Sequence, residues 1–441
     1  MINKEKKVLL NNISSLFSVQ VANYILPMVS IPIIVRIIGP DKFGLINYAS
    51  AIVGYFVLIV NYGFDLTATR NVAQNRENKS YIQEVFSVVF WSKILLFLFT
   101  TVVFLACFAV FPIFREEWKM MVFSYVILVS WVITPNWLYQ GMQELHRIAI
   151  FNIVIKIIFT VVVLLVVRHK SDYVYQPLAV GIAQILVGYY SFKYAMRRYG
   201  IRIIKIPLKR IVTEIKDERT VFFSQVVIYL YTTTNTVILG CLAEATQVGY
   251  YSAALRFIQI AQSVITLPLS NSFFPYVGAA FGKSREEGIV AARKVLPIVS
   301  IISLGAFLGM IALGPWVLGI FYGAKFIPCI PIFITLAITP FLIVVSNVYG
   351  IQIMMNLKMD KAFFRITACG AIVSICSNLL LIPWYGGLGS GFSLLITETF
   401  ITVTFVLFLL REGINIFDWK DFHPRKIMLQ FQSVLSARKK N

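Results

Sequence analysis

Lys93, Lys156, Arg256 and Glu398 each fall inside a long run of apolar residues. A charge at the middle of a bilayer costs about 2.5–3.5 kcal/mol on insertion scales unless it faces protein or water, so each of the four needs a partner or a use. Three are cations, and cations lining a water-filled path attract an anion. The residues around Arg256 extend that chemistry. Arg256, Gln259, Ser263, Thr266 and Ser270 recur at i, i+3, i+7, i+10 and i+14, which puts one polar stripe on an otherwise apolar helix. Gln20, Asn23, Pro27 and Ser30 repeat the first four of those spacings, and Gln225, Thr232, Thr233, Thr234, Asn235 and Thr236 cluster further on. Amides and hydroxyls hydrogen-bond sugars or water. They also hold membrane helices together, and pairing of Lys93 or Lys156 with Glu398 is the structural alternative to ligand binding. Lys193 and Arg365 lie near span ends, where a long side chain reaches the polar surface.

The elements that position these groups are read from hydropathy. About twelve apolar stretches of roughly 18–25 residues fill the chain, each matched to a bilayer's hydrocarbon thickness. They are placed at 12–36, 45–64, 83–111, 118–140, 148–167, 176–198, 219–241, 252–277, 293–314, 328–352, 362–384 and 388–410. With 58% hydrophobic and 14% charged residues, the fold class is an all-α polytopic membrane protein. The basic stretch 199–218 separates six spans from six. The expected organisation is therefore a six-helix lobe over 1–198, a cytoplasmic basic linker over 199–218, a second six-helix lobe over 219–410 and a cytoplasmic basic tail over 411–441. Ile133-Thr134-Pro135 in the fourth span recurs as Ile338-Thr339-Pro340 in the tenth. The turns ending at Gly44 and Gly249 echo one another at the same offset. Both echoes support two related lobes around a central cavity. Pro27, Pro135, Pro268, Pro297 and Pro340 lie within spans, where each removes an intrahelical hydrogen bond and permits a bend.

The net charge of +20 would point to nucleic acid in a soluble chain, but here its distribution orients the protein. About 28 Lys and Arg fall on inner segments and about 7 on outer loops, which places both termini in the cytoplasm by the positive-inside rule. Nucleic acid is not an expected partner. Cys107, Cys241, Cys329, Cys369 and Cys376 form no C-x-x-C pair and read as packing residues, and His146, His169 and His423 lack metal-ligand spacing. No cofactor is expected. Gly278 to Ser284 resembles a phosphate-binding loop but is one residue short between its glycines and follows a membrane helix rather than a strand. The outer loops are too short to house an extracellular catalytic domain, and no nucleophile–base arrangement stands out, so an enzyme is not expected. In the tail, Ile427, Met428, Phe431, Val434 and Leu435 at helical spacing, flanked by Arg and Lys, read either as a helix lying on anionic lipid or as a disordered basic tail.

Leu26-Pro27-x4-Pro32-x3-Arg36-x2-Gly39-Pro40-x3-Gly44, followed by Asn61-Tyr62-Gly63-Phe64 and Thr69-Arg70, resembles the O-antigen flippases of the polysaccharide biosynthesis/export family. Tyr250-Tyr251-x4-Arg256 with Pro268 is similar to the eighth span of bacterial lipid II flippases in the same superfamily, which usually have more spans than this chain. The resemblance implies a two-lobed transporter moving an undecaprenyl-pyrophosphate-linked oligosaccharide from the inner to the outer leaflet of the bacterial inner membrane. It would work among membrane lipids and alongside other polysaccharide-assembly proteins. It implies that Arg256, Arg36, Lys93 and Lys156 attract the pyrophosphate and that Arg70 captures substrate at the inner mouth. Gln20, Asn23, Gln259, Ser263 and Asn235 would solvate sugars, while Glu398 would couple a proton or sodium ion. The alternatives are a multidrug or organic-cation antiporter of the same fold, which would want acidic groups in its cavity, and a membrane glycosyltransferase acting on lipid-linked sugars.

Overall fold

The computed structural model describes the backbone of residues 2–268, 273–423 and 426, with side chains from Ser30 onward apart from 264, 265, 267, 268, 274 and 275. Among the described residues the regular structure is helical, with no strand. Among the described residues, eight helical runs have the length and mean hydropathy of a membrane crossing, or nine if Arg219–Thr232 and Thr234–Leu242, which meet at 50°, count as one span. The expected spans 12–36 and 45–64 fall in one helical run, Ile2–Asn61, broken at Gly39, whose φ of 79° no helix accommodates. Tyr175–Tyr199 matches the expected span 176–198, while Ala245–Pro268 overlaps the expected 252–277 but starts seven residues earlier. They are more polar than the nine, one interrupted by Gln176, Gln184 and Lys193 and the other carrying the Arg256 stripe.

The helix Lys79–Val110 shows why these segments need lipid. Leu98, Phe99, Val102 and Leu105 point outward along one face, with Val102 67% exposed. Water would not tolerate so continuous an apolar face on a monomer, whereas hydrocarbon does. The chain is a multi-pass membrane protein.

Backbone contacts divide the chain into two compact units, 1–229 and 230–441. In the first, Phe64, Val72, Phe86, Trp137, Leu138 and Tyr139 lie at the heart of one buried apolar cluster. The helices Phe64–Gln74 and Asn136–Gly141 approach closely at Gly141, where a Cβ would sit 2.7 Å from the Val72 side chain and 3.0 Å from the Thr69 carbonyl. The basic segment after Tyr199 is tied to this unit. Trp91 donates its indole N–H to the Ile204 carbonyl, the Ser87 hydroxyl accepts from Ile204 N–H, and the helix Leu208–Asp217 buries Ile211. At the other end of the unit, Lys170 pairs with Asp41 at 2.9 Å, Lys42 pairs with Glu117 at 3.6 Å, and the Tyr173 hydroxyl donates to Glu117.

In the second unit, the 38-residue helix Arg285–Tyr322 starts at a Ser284 cap, whose hydroxyl accepts from Glu287 N–H at 3.1 Å. It runs through Pro297 and Pro315 without a break. Asp360–Tyr385 and Gly387–Arg411 form a tight hairpin, in which a Cβ on Gly389 would lie 2.4 Å from the Leu381 carbonyl oxygen. Beyond Arg411 the chain folds back. Ile414 and Ile416 enter the apolar core, and Arg293 clamps the following turn through Asp418 and Asp421, with 2.6 Å to the latter. The expected lipid-binding tail helix beyond residue 426 lies outside the described residues.

Candidate functional site

The first unit holds a partly open polar cavity of about 260 Å³ lined by Asp65, Ser130, Thr134, Asn136, Asn152, Lys156, Gln184 and Ser191, with Phe151, Ile155 and Val187 as apolar wall. Local sequence explains each position. Gly63 turns the chain with a φ of 90° and caps the helix Phe64–Gln74, which sets Asp65 in the first turn, where the helix dipole favours a carboxylate. Asn152 and Lys156 are four residues apart on Leu145–Val166, so they share a face. Gln184, Gly188 and Ser191 do the same on Tyr175–Tyr199. The Ser130 hydroxyl donates to Gln184 Oε1 at 3.0 Å, tying two walls together.

Lys93 sits behind the cavity, 2% exposed. Its ammonium lies 3.7 Å from the Asp65 carboxylate and donates to the Trp131 carbonyl at 3.3 Å. Pro135 makes that carbonyl available. An α-helix would join Trp131 C=O to the N–H of residue 135, but proline has none, and the helix Ile127–Ile133 ends there. The Ile133-Thr134-Pro135 motif therefore supplies an acceptor for a buried cation. Its later counterpart, Ile338-Thr339-Pro340, also marks a helix boundary, at the start of Thr339–Asn347. Asn61 donates to the other Asp65 oxygen at 3.0 Å. The expected alternative partner of Lys93, Glu398, is replaced by Asp65, a residue that the sequence reading passed over as part of a loop.

In the second unit the Arg256 stripe begins on the surface and becomes half-buried along its length, with the Thr266 hydroxyl enclosed. Arg256 and Gln259 are exposed, and Ser263 is half-buried with its hydroxyl donating to the Gln259 carbonyl at 2.6 Å. Ser270, at the far end of the stripe, lies outside the described residues. Asn235 is the exception among the expected sugar ligands. It is 0% exposed, and its carbonyl oxygen accepts from Ser374 at 2.9 Å and from Asn378 at 2.6 Å. Ser390 donates to Asn378 Oδ1 at 3.2 Å, and the Ser377 and Ser393 hydroxyls share a hydrogen bond of 2.6 Å. These groups bond one another inside their unit, which is the helix-joining role of polar membrane residues. Glu398 is also interior, 6% exposed on Gly387–Arg411.

The remaining expected residues are dispersed. Arg36 is exposed just before the Gly39 break, and Arg70 is exposed on Phe64–Gln74 beside Glu218. Burial holds the Glu218 carboxyl above its usual range, against the opposing pull of the Thr67 hydrogen bond and the Arg70 charge. The side chains of Gln20 and Asn23 lie outside the described residues. Among the described residues of the expected group, Lys93 and Lys156 are brought to one place from different helices, both beside Asp65 and Trp131. Asp65, Asn136, Asn152 and Gln184 were missed. The i, i+4 spacing of Asn152 with Lys156 was the available signal. Among the described residues, no three His, Cys, Asp or Glu side chains gather as metal ligands.

A model of the family described as polysaccharide biosynthesis protein matches residues 9–281, more than half of the 441. The chain belongs to that polysaccharide biosynthesis protein family. Among the family relatives, it is 28% identical over 410 residues to a protein of Escherichia coli (strain K12) named "Putative O-antigen transporter", covering 92% of this chain and 98% of that one. A protein of the same name from Shigella dysenteriae is 26% identical, over 91% of this chain and 98% of its own. This family member also shares its fold with solved membrane transporters. The lipid II flippase MurJ in an inward closed conformation superposes with a TM-score of 0.69 at 16% identity, over 98% of this chain and 93% of that one. An inward-facing multidrug resistance MATE family transporter gives 0.68 at 15% identity, over 89% and 94%.

Proposed function

We propose that this protein is a flippase, not an enzyme, that carries a lipid-linked oligosaccharide across the bacterial inner membrane by alternating access. The substrate would be an O-antigen-type repeat unit on undecaprenyl pyrophosphate. One observation carries the reading: a member of the polysaccharide biosynthesis family displays an exposed arginine and an exposed glutamine at the head of a polar stripe along the helix Ala245–Pro268. Arg256 offers a charged fork for a phosphate oxygen, and Gln259 and Ser263 offer the hydrogen bonds that sugars lose on leaving water. The prenyl chain stays in hydrocarbon. Arg36 and Arg70 serve the two mouths of the path, and both termini are cytoplasmic, in keeping with the positive-inside asymmetry.

No nucleotide-binding loop is needed for the energetics. Two negative charges moving outward down an inside-negative potential release roughly 4–5 kcal/mol per 100 mV. Glu398, buried in a helix interior, is the group we assign to ion coupling; unchanged transport by Glu398→Gln removes that assignment. The test of the whole reading is deletion of the gene in its host, with lipid-linked intermediates assayed by leaflet. Inner-leaflet accumulation with loss of surface polymer, rescued by wild type but not by a folded Arg256→Ala protein, supports it. Normal leaflet distribution, in a host lacking a redundant transporter, rejects it in favour of a drug antiporter.

A further inference from the structure

The segment that follows Tyr199 keeps half of an apolar face uncovered. In the helix Leu208–Asp217, the residues Leu208, Ile211, Val212 and Ile215 recur at i, i+3, i+4 and i+7 and so share one face. The first unit takes only part of it. Ile211 is buried and Ile215 packs against the apolar cluster, whereas Leu208 is 63% exposed and Val212 37%. Ile204, just ahead of the helix, is also 37% exposed. The segment is nonetheless fastened in place. Arg202 N–H donates to Gln83 Oε1 at 3.1 Å, Ile204 N–H to the Ser87 hydroxyl at 3.0 Å, and the Trp91 indole to the Ile204 carbonyl at 3.1 Å. An exposed aliphatic row is thus held against the helix Lys79–Val110.

Charge and depth narrow what covers that row. Arg202, Lys205, Lys209 and Lys216 are exposed around it, while Arg210 takes up two nearby acids, Glu214 at 2.8 Å and Glu84 at 3.9 Å. Trp91 marks the level of Ile204 on Lys79–Val110. The outward-pointing Leu98 and Phe99 follow on the same helix, roughly 10–12 Å further along its axis at 1.5 Å per residue. The row therefore lies at the edge of the hydrocarbon, where tryptophan is favoured. A helix at that depth with one aliphatic face and a cationic surround has the character of one lying in the headgroup layer. A protein partner would need roughly 800 Å² on each side, far more than three aliphatic side chains offer.

We propose that the segment 202–216 is an interfacial anchor that binds anionic phospholipid. Ile204, Leu208 and Val212 reach the acyl boundary, and Lys205 and Lys209 pair with net-negative headgroups. The anchor concerns how the chain is seated in lipid, and it stands whether or not the transported substrate is the one proposed above.

Hydrogen–deuterium exchange over residues 202–217 is compared for full-length protein in nanodiscs of phosphatidylcholine alone and of phosphatidylcholine mixed two to one with phosphatidylglycerol. Exchange is expected to slow about fivefold or more in the anionic discs, the gain that one lysine brings at an anionic surface, and high salt is expected to remove the difference. Lys205→Gln with Lys209→Gln is expected to abolish the difference between lipids and leave exchange in phosphatidylcholine unchanged. Leu208→Ser with Val212→Ser is expected to speed exchange in both. Unfolding temperatures establish that the variants are folded, and the wild-type comparison needs neither of them. Equal exchange of wild type in the two lipids overturns the anchor. So does an undiminished lipid difference in a folded Lys205→Gln, Lys209→Gln protein, or unchanged exchange in a folded Leu208→Ser, Val212→Ser protein.

Discussion

Lys93 and Asp65 illustrate how a buried cation is tolerated. The ammonium is almost fully enclosed, with a carboxylate at 3.7 Å and a proline-freed carbonyl at 3.3 Å. Removing the carboxylate charge leaves a buried cation with only neutral acceptors. Asp65→Asn is therefore expected to cost about 3 kcal/mol, near the low end for an orphaned buried charge, because Asp65 itself is partly exposed. Lys93→Met is expected to be milder, since water can reach Asp65. The double variant should recover at least half of the Asp65→Asn loss, because no charge is then stranded. Denaturant unfolding of the four proteins in nanodiscs measures the cycle, and simple additivity would mean that the pair is not coupled. Half of this pair was legible. A lysine inside an apolar run advertises itself, but Asp65 sits on another helix, and nothing local in either segment specifies that they meet.

At the scale of helices, close packing depends on glycine at a few contacts. Gly389 brings Gly387–Arg411 against the backbone of Asp360–Tyr385, and a Cβ there would meet a carbonyl oxygen at 2.4 Å. Backbone cannot swing aside as a flexible side chain can, so Gly389→Ala is expected to destabilise the second unit by about 1–3 kcal/mol, the usual cost of overpacking, read as a lowered unfolding temperature. The segment after Arg411 is a different kind of element, held by an ion-paired clamp. Burial raises the Asp421 carboxyl, but hydrogen bonds and charge from Arg293 and Lys426 outweigh it and leave the group below its usual range. A depressed carboxylate contributes stability that is present above the ordinary Asp range near pH 4 and is lost as pH falls through the folded value. Asp421→Asn should thus expose the Ile414–Phe422 segment to protease at pH 7, at a cost of about 1 kcal/mol or less. Variant and wild type should converge once the pH has fallen below the depressed folded-state value; a difference that persists there would assign the effect to packing. The clamp was unreadable in the sequence, which presents 411–441 as one basic tail, because Arg293 reaches it from a helix that begins more than a hundred residues earlier.

At the scale of the whole protein, the flippase reading makes transport electrogenic. Two phosphate charges carried outward would tie the rate to membrane potential at roughly 4–5 kcal/mol per 100 mV in total. In proteoliposomes loaded with a fluorescent lipid-pyrophosphate glycan, an inside-negative potassium-diffusion potential is expected to speed outward movement, and collapsing it to slow that movement. Equal rates at every imposed potential would show that the protein's own charges move with the substrate and cancel it, or that another ion drives the cycle.

The sequence by itself determined that the chain is a helical membrane protein, because runs of apolar residues matched to hydrocarbon thickness leave no other stable arrangement for the backbone. It also determined which polar side chains share a helix face, since a fixed 3.6-residue repeat puts Arg256, Gln259 and Ser263 in line wherever the helix goes. Only the tertiary structure decided which of those faces is interior. Asn235 belongs to a buried network and Arg256 to an exposed surface, although both are polar residues in apolar runs. It likewise decided that Lys93 belongs with Asp65, and that Lys156 lines a cavity with Asn136 and Gln184. Such pairings arise where distant helices pack, and the free energy that selects them is a sum over contacts that no single segment encodes.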